Sequence, residues 1–150
     1  MKHLIIFFII ILGIIIIKCL QTETFSNTEE DYKHSKNIIG HSNIGSRGVF
    51  ANRDYKPGEV LEVCPCIKQE SEHLTGIIAD YLFHFNEKES LIAFGYCSMY
   101  NHLDDPNAEW EVINENQVKI VVVKNIKKGE EIFVSYGDDY WDSRNSKKNN

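Results

Sequence analysis

The chain has 150 residues, 43% of them hydrophobic and 25% charged, which excludes collagen-like, low-complexity and wholly disordered proteins and allows one compact domain. Its formal net charge is −6, and segment 37–142 contains nine Lys and Arg against eighteen Asp and Glu. This acidity argues against direct nucleic-acid binding. It suits a basic protein or peptide partner, although most acidic proteins are acidic only for solubility.

An apolar run of fourteen residues, nine of them Ile, extends over 4–17. Lys2 and Lys18 flank the run, as is typical of segments that target a chain to a membrane. A helix of that length reaches only ~21 Å, against a hydrocarbon core of ~30 Å. Residues 1–20 are therefore predicted to form an apolar helix that is either a cleaved signal peptide or a short membrane anchor. The polar, non-periodic residues 21–36 predict a tether.

From residue 37 onward, short apolar segments alternate with turn residues. The predicted strands are 38–39, 49–52, 60–67, 110–113, 118–124 and 131–135. The spacing of apolar side chains predicts a short helix or an irregular segment over 77–85 and a similar one over 91–100. Residues 37–142 are thus predicted to form a mostly β domain, and residues 143–150 a polar basic tail.

Two of the four cysteines, Cys64 and Cys66, lie two residues apart on a predicted strand and should face the same side. Such a pair can bind a metal, but no second pair with ligand spacing accompanies it. We therefore expect buried thiols and no metal site. In a secreted domain, the four cysteines could instead pair as disulfides.

Three sequence blocks follow one another along the chain. The first is Gly-Ser-Arg-Gly-Val-Phe-Ala over 45–51 with Lys-Pro-Gly-Glu over 56–59. The second is Tyr-Asn-His-Leu-Asp-Asp-Pro-Asn-Ala over 100–108, and the third is Lys-Gly-Glu-Glu-Ile-Phe-Val-Ser-Tyr-Gly over 128–137. Each block alone predicts only a turn or a strand end. Together, and in this order, they resemble the SET domain of protein-lysine methyltransferases over about 37–144.

The likeness extends to the small SET proteins of large DNA viruses, of the chlorella-virus histone methyltransferase type. Two further segments contribute to it, Asp-Tyr-Leu-Phe over 80–83 and Tyr-Gly-Asp-Asp-Tyr-Trp over 136–141. The resemblance implies a β-clip-like fold of short sheets, in which the carboxy-terminal segment threads beneath a loop as a pseudoknot.

The function implied by the resemblance is transfer of a methyl group from S-adenosyl-L-methionine to a lysine of a histone or other basic protein tail. The cofactor would enter on one face and the lysine through a narrow channel from the other. Such an in-line displacement needs no metal, because the protein mainly positions a neutral amine and excludes water. A catalytically silent SET-like module that only binds a peptide is the alternative.

Matched residue by residue, the resemblance gives each position an expected role. Tyr136 matches the catalytic tyrosine, whose hydroxyl lies near the amine and the methyl group. The residues expected to bind the cofactor are Gly45, Ser46, Arg47, Asn101, His102 and Tyr136. The candidates for the lysine channel and substrate groove, each with a competing role in the core, are Tyr81, Trp110 and Tyr140.

The chain also departs from many cellular relatives. Leu103 and Asp104 follow the Asn-His pair where Ser-Cys is common, and the tail 143–150 lacks the cysteines of a zinc-binding closure. The channel would then be closed by Tyr140, Trp141 and the tail, or by a second subunit in a homodimer.

The expected location in the cell is open between two alternatives. Membrane association through 4–17 would hold the domain at a membrane, whereas a histone substrate requires access to chromatin. The domain would reach a host nucleus if the apolar segment is removed or not used.

Overall fold

The computed structural model describes residues 35–44 and 47–142. The predicted apolar helix, nearly all of the predicted tether and the tail 143–150 lie outside the described residues. None of the helices within the described residues is long and apolar enough to cross a membrane.

Nine strands are the main regular structure of the described residues. They are β1 Ile38–Gly40, β2 Gly48–Phe50, β3 Val60–Glu70, β4 Leu82–His84, β5 Glu89–Ala93, β6 Asn101–His102, β7 Ala108–Asn114, β8 Gln117–Val122 and β9 Glu131–Val134. The helical pieces are the 3₁₀ segments Ser71–His73, Gly76–Tyr81 and Cys97–Met99, and one α-helix, α1, Asp138–Asp142.

The strands form two sheets around a common core. One sheet has the order β1-β2-β9-β6 and the other the order β4-β5-β3-β8-β7. Strand β8 illustrates why these residues form strands, since Val118, Ile120 and Val122 are buried and the residues between them are partly exposed. This period of two places one apolar face toward the core. The sequence prediction of a mostly β fold is confirmed.

The last strand, β9, lies between β2 and β6. Its Ile132 pairs with Val49 of β2 in an antiparallel ladder. Its Val134 pairs with His102 of β6 in a parallel ladder. Because each of the three sequence blocks supplies one of these strands, the pairing brings together residues that are far apart in the chain.

The prediction of a short helix or an irregular segment over 91–100 is wrong for residues 91–93. Leu91 and Ala93 belong to β5, which is paired with both β3 and β4. Only Cys97–Met99 is helical there. Apolar spacing in a short segment does not distinguish a helix from a strand. Pairing with two neighbouring strands decides for the strand here.

The expectation that Cys64 and Cys66 are buried thiols is right for Cys66 and wrong for Cys64. Cys64 of β3 and Cys97 form a disulfide, whereas Cys66 is free and buried. Burial raises the pKa of the Cys66 thiol to about 11. The disulfide joins the central strand of the larger sheet to the turn that leads into β6.

Candidate active site

An aromatic cavity of about 490 Å³ lies beside the end of β9 and α1. Its wall includes Tyr81, Phe83, Tyr100, Trp110, Tyr136 and Tyr140. A cavity with several aromatic side chains offers an apolar surface to an alkyl chain and a few hydroxyl groups for orientation.

Tyr136 follows β9 and contributes its hydroxyl to the site beside this cavity. Its hydroxyl donates a hydrogen bond of 2.9 Å to the backbone carbonyl of Tyr100. Burial raises the pKa of Tyr136 to about 12, and the nearby Tyr140 adds to the effect. The phenol therefore stays neutral near pH 7, with its oxygen lone pairs available to a second partner.

His102 packs against the Tyr136 ring and is only 3% exposed. Its Nδ1 accepts a hydrogen bond of 3.1 Å from the Tyr136 amide, so the ring proton resides on Nε2. Nε2 in turn donates to Asp104 Oδ1 at 3.1 Å. The ring also packs against Trp141 at a centroid distance of 4.9 Å. The His102 side chain thus acts on the site through Tyr136.

Asn101 is the centre of a polar cluster next to the cavity. Its Nδ2 donates to the Arg47 carbonyl at 2.9 Å and to Glu131 Oε1 at 2.7 Å. The other carboxylate oxygen, Glu131 Oε2, accepts from Ser42 Oγ at 2.9 Å. Gly48 completes the cluster, because a Cβ at that position would lie 2.0 Å from Glu131 Oε1. Only a glycine leaves room for this arrangement.

The aromatic cavity and the polar cluster meet at one peptide bond. The carbonyl that accepts the Tyr136 hydroxyl belongs to the bond that joins Tyr100 to Asn101. Tyr100 lines the cavity, and Asn101 extends its amide into the polar cluster. A ligand in the aromatic cavity and a ligand at the polar cluster would therefore be separated by little more than this peptide bond.

The three predicted channel residues all line the cavity. Tyr81 is 44% exposed and ends the segment Gly76–Tyr81. Trp110 donates from Nε1 to the Ser135 carbonyl at 2.9 Å. Tyr140 of α1 contacts the Tyr136 ring at a centroid distance of 4.8 Å. Their roles toward a substrate stay predictions.

Of the predicted cofactor loop, Gly45 and Ser46 lie outside the described residues. Arg47 is exposed and reaches the cluster through its backbone carbonyl. Its side chain has no assigned partner among the described residues, and its role stays a prediction.

Three residues of the site are not identified by the sequence. Glu131 lies in the third block, where its position predicts only the start of a strand. Phe83 lies in the segment 80–83 and contacts Trp110 edge-on at a centroid distance of 5.4 Å. Cys97 lines the cavity and is bonded to a cysteine that is 33 positions away, for which the sequence offers no local signal.

Comparison with known proteins gives consistent matches. Residues 46–137 match the SET domain family. A histone-lysine N-methyltransferase of Schizosaccharomyces pombe, specific for H3 lysine-37, is 32% identical over 101 residues, which cover 63% of this chain and 69% of the relative.

Solved structures are similar as well. The crystal structure of a Plasmodium falciparum protein described as a histone methyltransferase has a TM-score of 0.64 and 34% identity, and the match covers 72% of this chain and 98% of that one. A humanized mutant of Polycomb Repressive Complex 2 from Chaetomium thermophilum has a TM-score of 0.57 and 25% identity, over 70% of this chain and 15% of that one.

Proposed function

The chain belongs to the SET domain family and is a protein-lysine N-methyltransferase, and from this premise we propose that a histone tail is its substrate. The observation that supports this function best is the position of the Tyr136 hydroxyl. It lies in an aromatic cavity and touches the peptide bond that leads to the polar cluster of Asn101. A lysine and a methyl donor can therefore approach the same hydroxyl from two sides.

The polar cluster fits the amino-acid end of S-adenosyl-L-methionine. Among the described residues, no donor occupies Asn101 Oδ1, because the Glu131 carboxylate and the Arg47 carbonyl both take Nδ2. A free acceptor oxygen suits an ammonium group. We propose that Asn101 and the backbone around Arg47 and His102 hold this cofactor, together with Gly45 and Ser46. When bound, the cofactor supplies an activated methyl group on a cationic sulfur.

The aromatic cavity fits the lysine side chain. Lysine in water has a pKa of ~10.4 and is protonated near pH 7, so it lacks the lone pair that it needs as a nucleophile. Aromatic walls favour the neutral amine by desolvation. The Tyr136 oxygen can orient that amine, because its proton is already donated to the Tyr100 carbonyl and its lone pairs remain. Tyr81, Trp110 and Tyr140 would surround the alkyl chain.

The substrate class follows from charge and from the relatives. Nine basic against eighteen acidic residues over 37–142 give the domain a surface that favours a basic tail. Histones are named as substrates in the descriptions of the similar proteins. A basic peptide without a histone sequence would meet the same chemistry, so both belong in the test.

Finer features rest on the sequence alone. We propose that the enzyme is of the small type found in large DNA viruses, that it is a homodimer, and that residues 4–17 attach it to a membrane. A fluorescent reporter fused to residues 1–35 tests the attachment. Reporter at a membrane is expected, whereas a diffuse or nuclear reporter would point to the host nucleus as the site of action.

Incubation of the full chain with labelled S-adenosyl-L-methionine and core histones tests the proposed function. Label should appear on a histone lysine, and Tyr136→Phe should remove it. No transfer above the Tyr136→Phe background, for histones and for basic peptides alike, would contradict the proposal. Binding of the peptide without any turnover would favour a silent SET-like module instead.

A further inference from the structure

We propose that Glu131 is a positioning residue for the cofactor, which it serves by fixing the Asn101 amide with Oδ1 toward the ligand. The inference rests on the proposed function, since it concerns how the same site recognises S-adenosyl-L-methionine. It adds a residue that lies outside the predicted set and whose contribution passes entirely through Asn101.

The orientation of the Asn101 amide is determined by its two partners. Nδ2 lies 2.7 Å from Glu131 Oε1 and 2.9 Å from the Arg47 carbonyl. A carboxylate and a backbone carbonyl are both acceptors, so only the NH₂ end of the amide can face them. Both amide protons are then used, and Oδ1 is directed away from Glu131 as an acceptor.

Glu131 is itself held from three directions. Ser42 Oγ donates to its second carboxylate oxygen at 2.9 Å. The Glu131 backbone carbonyl accepts a hydrogen bond of 2.9 Å from Asn107 Nδ2. In the ladder between β9 and β2, Glu131 pairs with Phe50. The absence of a side chain at Gly48 leaves the space that the carboxylate occupies. A carboxylate fixed in this way can orient Asn101 before any ligand arrives.

This arrangement specifies which part of the ligand is recognised. Oδ1 is an acceptor with no proton to donate, so it suits the ammonium group of the amino-acid end and disfavours a carboxylate. Ligands that have this ammonium group, such as S-adenosylhomocysteine, should depend on Glu131. A ligand that lacks the amino-acid end, such as 5′-methylthioadenosine, should not.

Calorimetric titration of the full chain with these two ligands tests the inference. We expect Glu131→Ala to weaken S-adenosylhomocysteine binding by about 10- to 100-fold, the range for hydrogen bonds to a charged group. Binding of 5′-methylthioadenosine should change by less than about two-fold. Glu131→Gln keeps an acceptor for Asn101 without the charge and should lie between Glu131→Ala and the unaltered chain.

A double-mutant cycle separates positioning from general structure. In an Asn101→Ala chain, Glu131→Ala should cause little further loss, because Glu131 acts through the missing amide. Ser42→Ala releases the second carboxylate oxygen and also removes the acceptor of the Ile44 amide, and it should weaken S-adenosylhomocysteine binding in the same direction and to a smaller extent. Glu87→Ala, in the exposed turn between β4 and β5, is the matched control and should alter neither ligand.

The outcomes are distinguishable. Equal loss of both ligands in Glu131→Ala, or unchanged binding of S-adenosylhomocysteine in both Glu131 variants, would overturn the inference and leave the proposed function in place. If the unaltered chain binds neither ligand, the proposed function fails and the inference with it. Should Glu131→Ala not fold, Glu131→Gln and Ser42→Ala provide the same comparison.

Discussion

The two sides of the Tyr100–Asn101 peptide bond are built from opposite chemistry. On the Asn101 side, an amide, a carboxylate and a hydroxyl are fixed by mutual hydrogen bonds. On the Tyr100 side, aromatic rings enclose a cavity of about 490 Å³. On the proposed function, these two neighbouring residues serve two ligands, since a charged ligand needs fixed dipoles and an amine that must lose its proton needs an apolar surface.

If the two sides are separate, a mutation on one side should leave the affinity for the other side's ligand unchanged. Each side can therefore be altered alone, with affinity for S-adenosyl-L-methionine measured on the polar side and methyl transfer or peptide affinity on the aromatic side. A mutation that changes both together would mean that the two sides are one unit.

Tyr136→Phe should have the largest effect. It removes the hydroxyl and keeps the ring, so methyl transfer should fall by roughly 100- to 1,000-fold, as for the loss of one oriented polar group at a reacting centre. Affinity for S-adenosyl-L-methionine should stay within about two-fold, which would place the Tyr136 hydroxyl with the lysine and not, as the resemblance implies, among the cofactor-binding groups. Single-turnover kinetics and calorimetry measure the two quantities. An equal fall in transfer and in cofactor affinity would break the distinction between the sides.

Loss of the Cys64–Cys97 disulfide should lower the stability of the aromatic side. The two cysteines are 33 positions apart in sequence, so the bond closes a loop of about that length. A loop of that size is worth about 3–4 kcal/mol in the chain-entropy description. Replacement of both cysteines by Ser should lower the free energy of unfolding by that amount, measured with denaturant, with Cys66→Ser as a comparison.

The same double variant also tests the two ligands. Peptide affinity should fall, because Cys97 lines the cavity, and affinity for S-adenosyl-L-methionine should hold at a temperature where the variant is folded. Unchanged stability would show that the disulfide does not hold the wall of the cavity.

Glu62 should make stability depend on pH. It is 2% exposed, and burial raises the pKa of its carboxyl from an ordinary value of 4.5 to about 7, although Tyr100 and the Tyr96 amide oppose the rise. Between those two values the folded chain binds more protons than the unfolded chain, so stability should be greatest at the acidic end and should fall as pH rises through about 7.

The size of that loss is on the order of 3 kcal/mol, at ~1.4 kcal/mol for each pKa unit. Unfolding measured across this pH window should show the slope, and Glu62→Gln should flatten it. Glu109→Gln, at an exposed position of β7, is the control and should keep the slope. A slope that persists in Glu62→Gln would assign it to another group.

Trp110→Phe should have the smallest effect. It removes the hydrogen bond to the Ser135 carbonyl, at a cost of about 1 kcal/mol in the free energy of unfolding. The smaller ring leaves more space in the cavity, so mass spectrometry of the product should show a larger share of the more methylated lysines. A change in affinity for S-adenosyl-L-methionine is not expected, and its appearance would count against separate sides.

Much of the fold could be predicted because its signals are local. The apolar run over 118–124 and the turn at Pro57 and Gly58 predict a strand and a reversal without knowledge of their partners. Segment 91–100 could not be predicted in this way, since its backbone adopts β5 only when β3 and β4 are in place. The two residues of β6 likewise form a strand only beside β9.

The candidate site, like the fold, contains some residues that the sequence identifies and some that it does not. The resemblance of three blocks names Tyr136, Asn101 and His102, and the structure brings them together. The Tyr136 hydroxyl donates to the carbonyl that precedes Asn101, and the Tyr136 amide donates to His102 Nδ1. Their roles stay predictions. Glu131 could not be recognised, because its carboxylate partners lie 30 and 89 positions away in sequence. Contacts of that kind arise from tertiary structure and leave no periodic signal in a single sequence.

The most direct test is a crystal structure of the full chain with S-adenosylhomocysteine and a lysine peptide. We expect the ammonium group of S-adenosylhomocysteine at Asn101 Oδ1, and the lysine amine in the aromatic cavity within about 3.2 Å of the Tyr136 oxygen. Both ligands on one side of the Tyr100–Asn101 bond, or a lysine amine distant from Tyr136, would contradict the account.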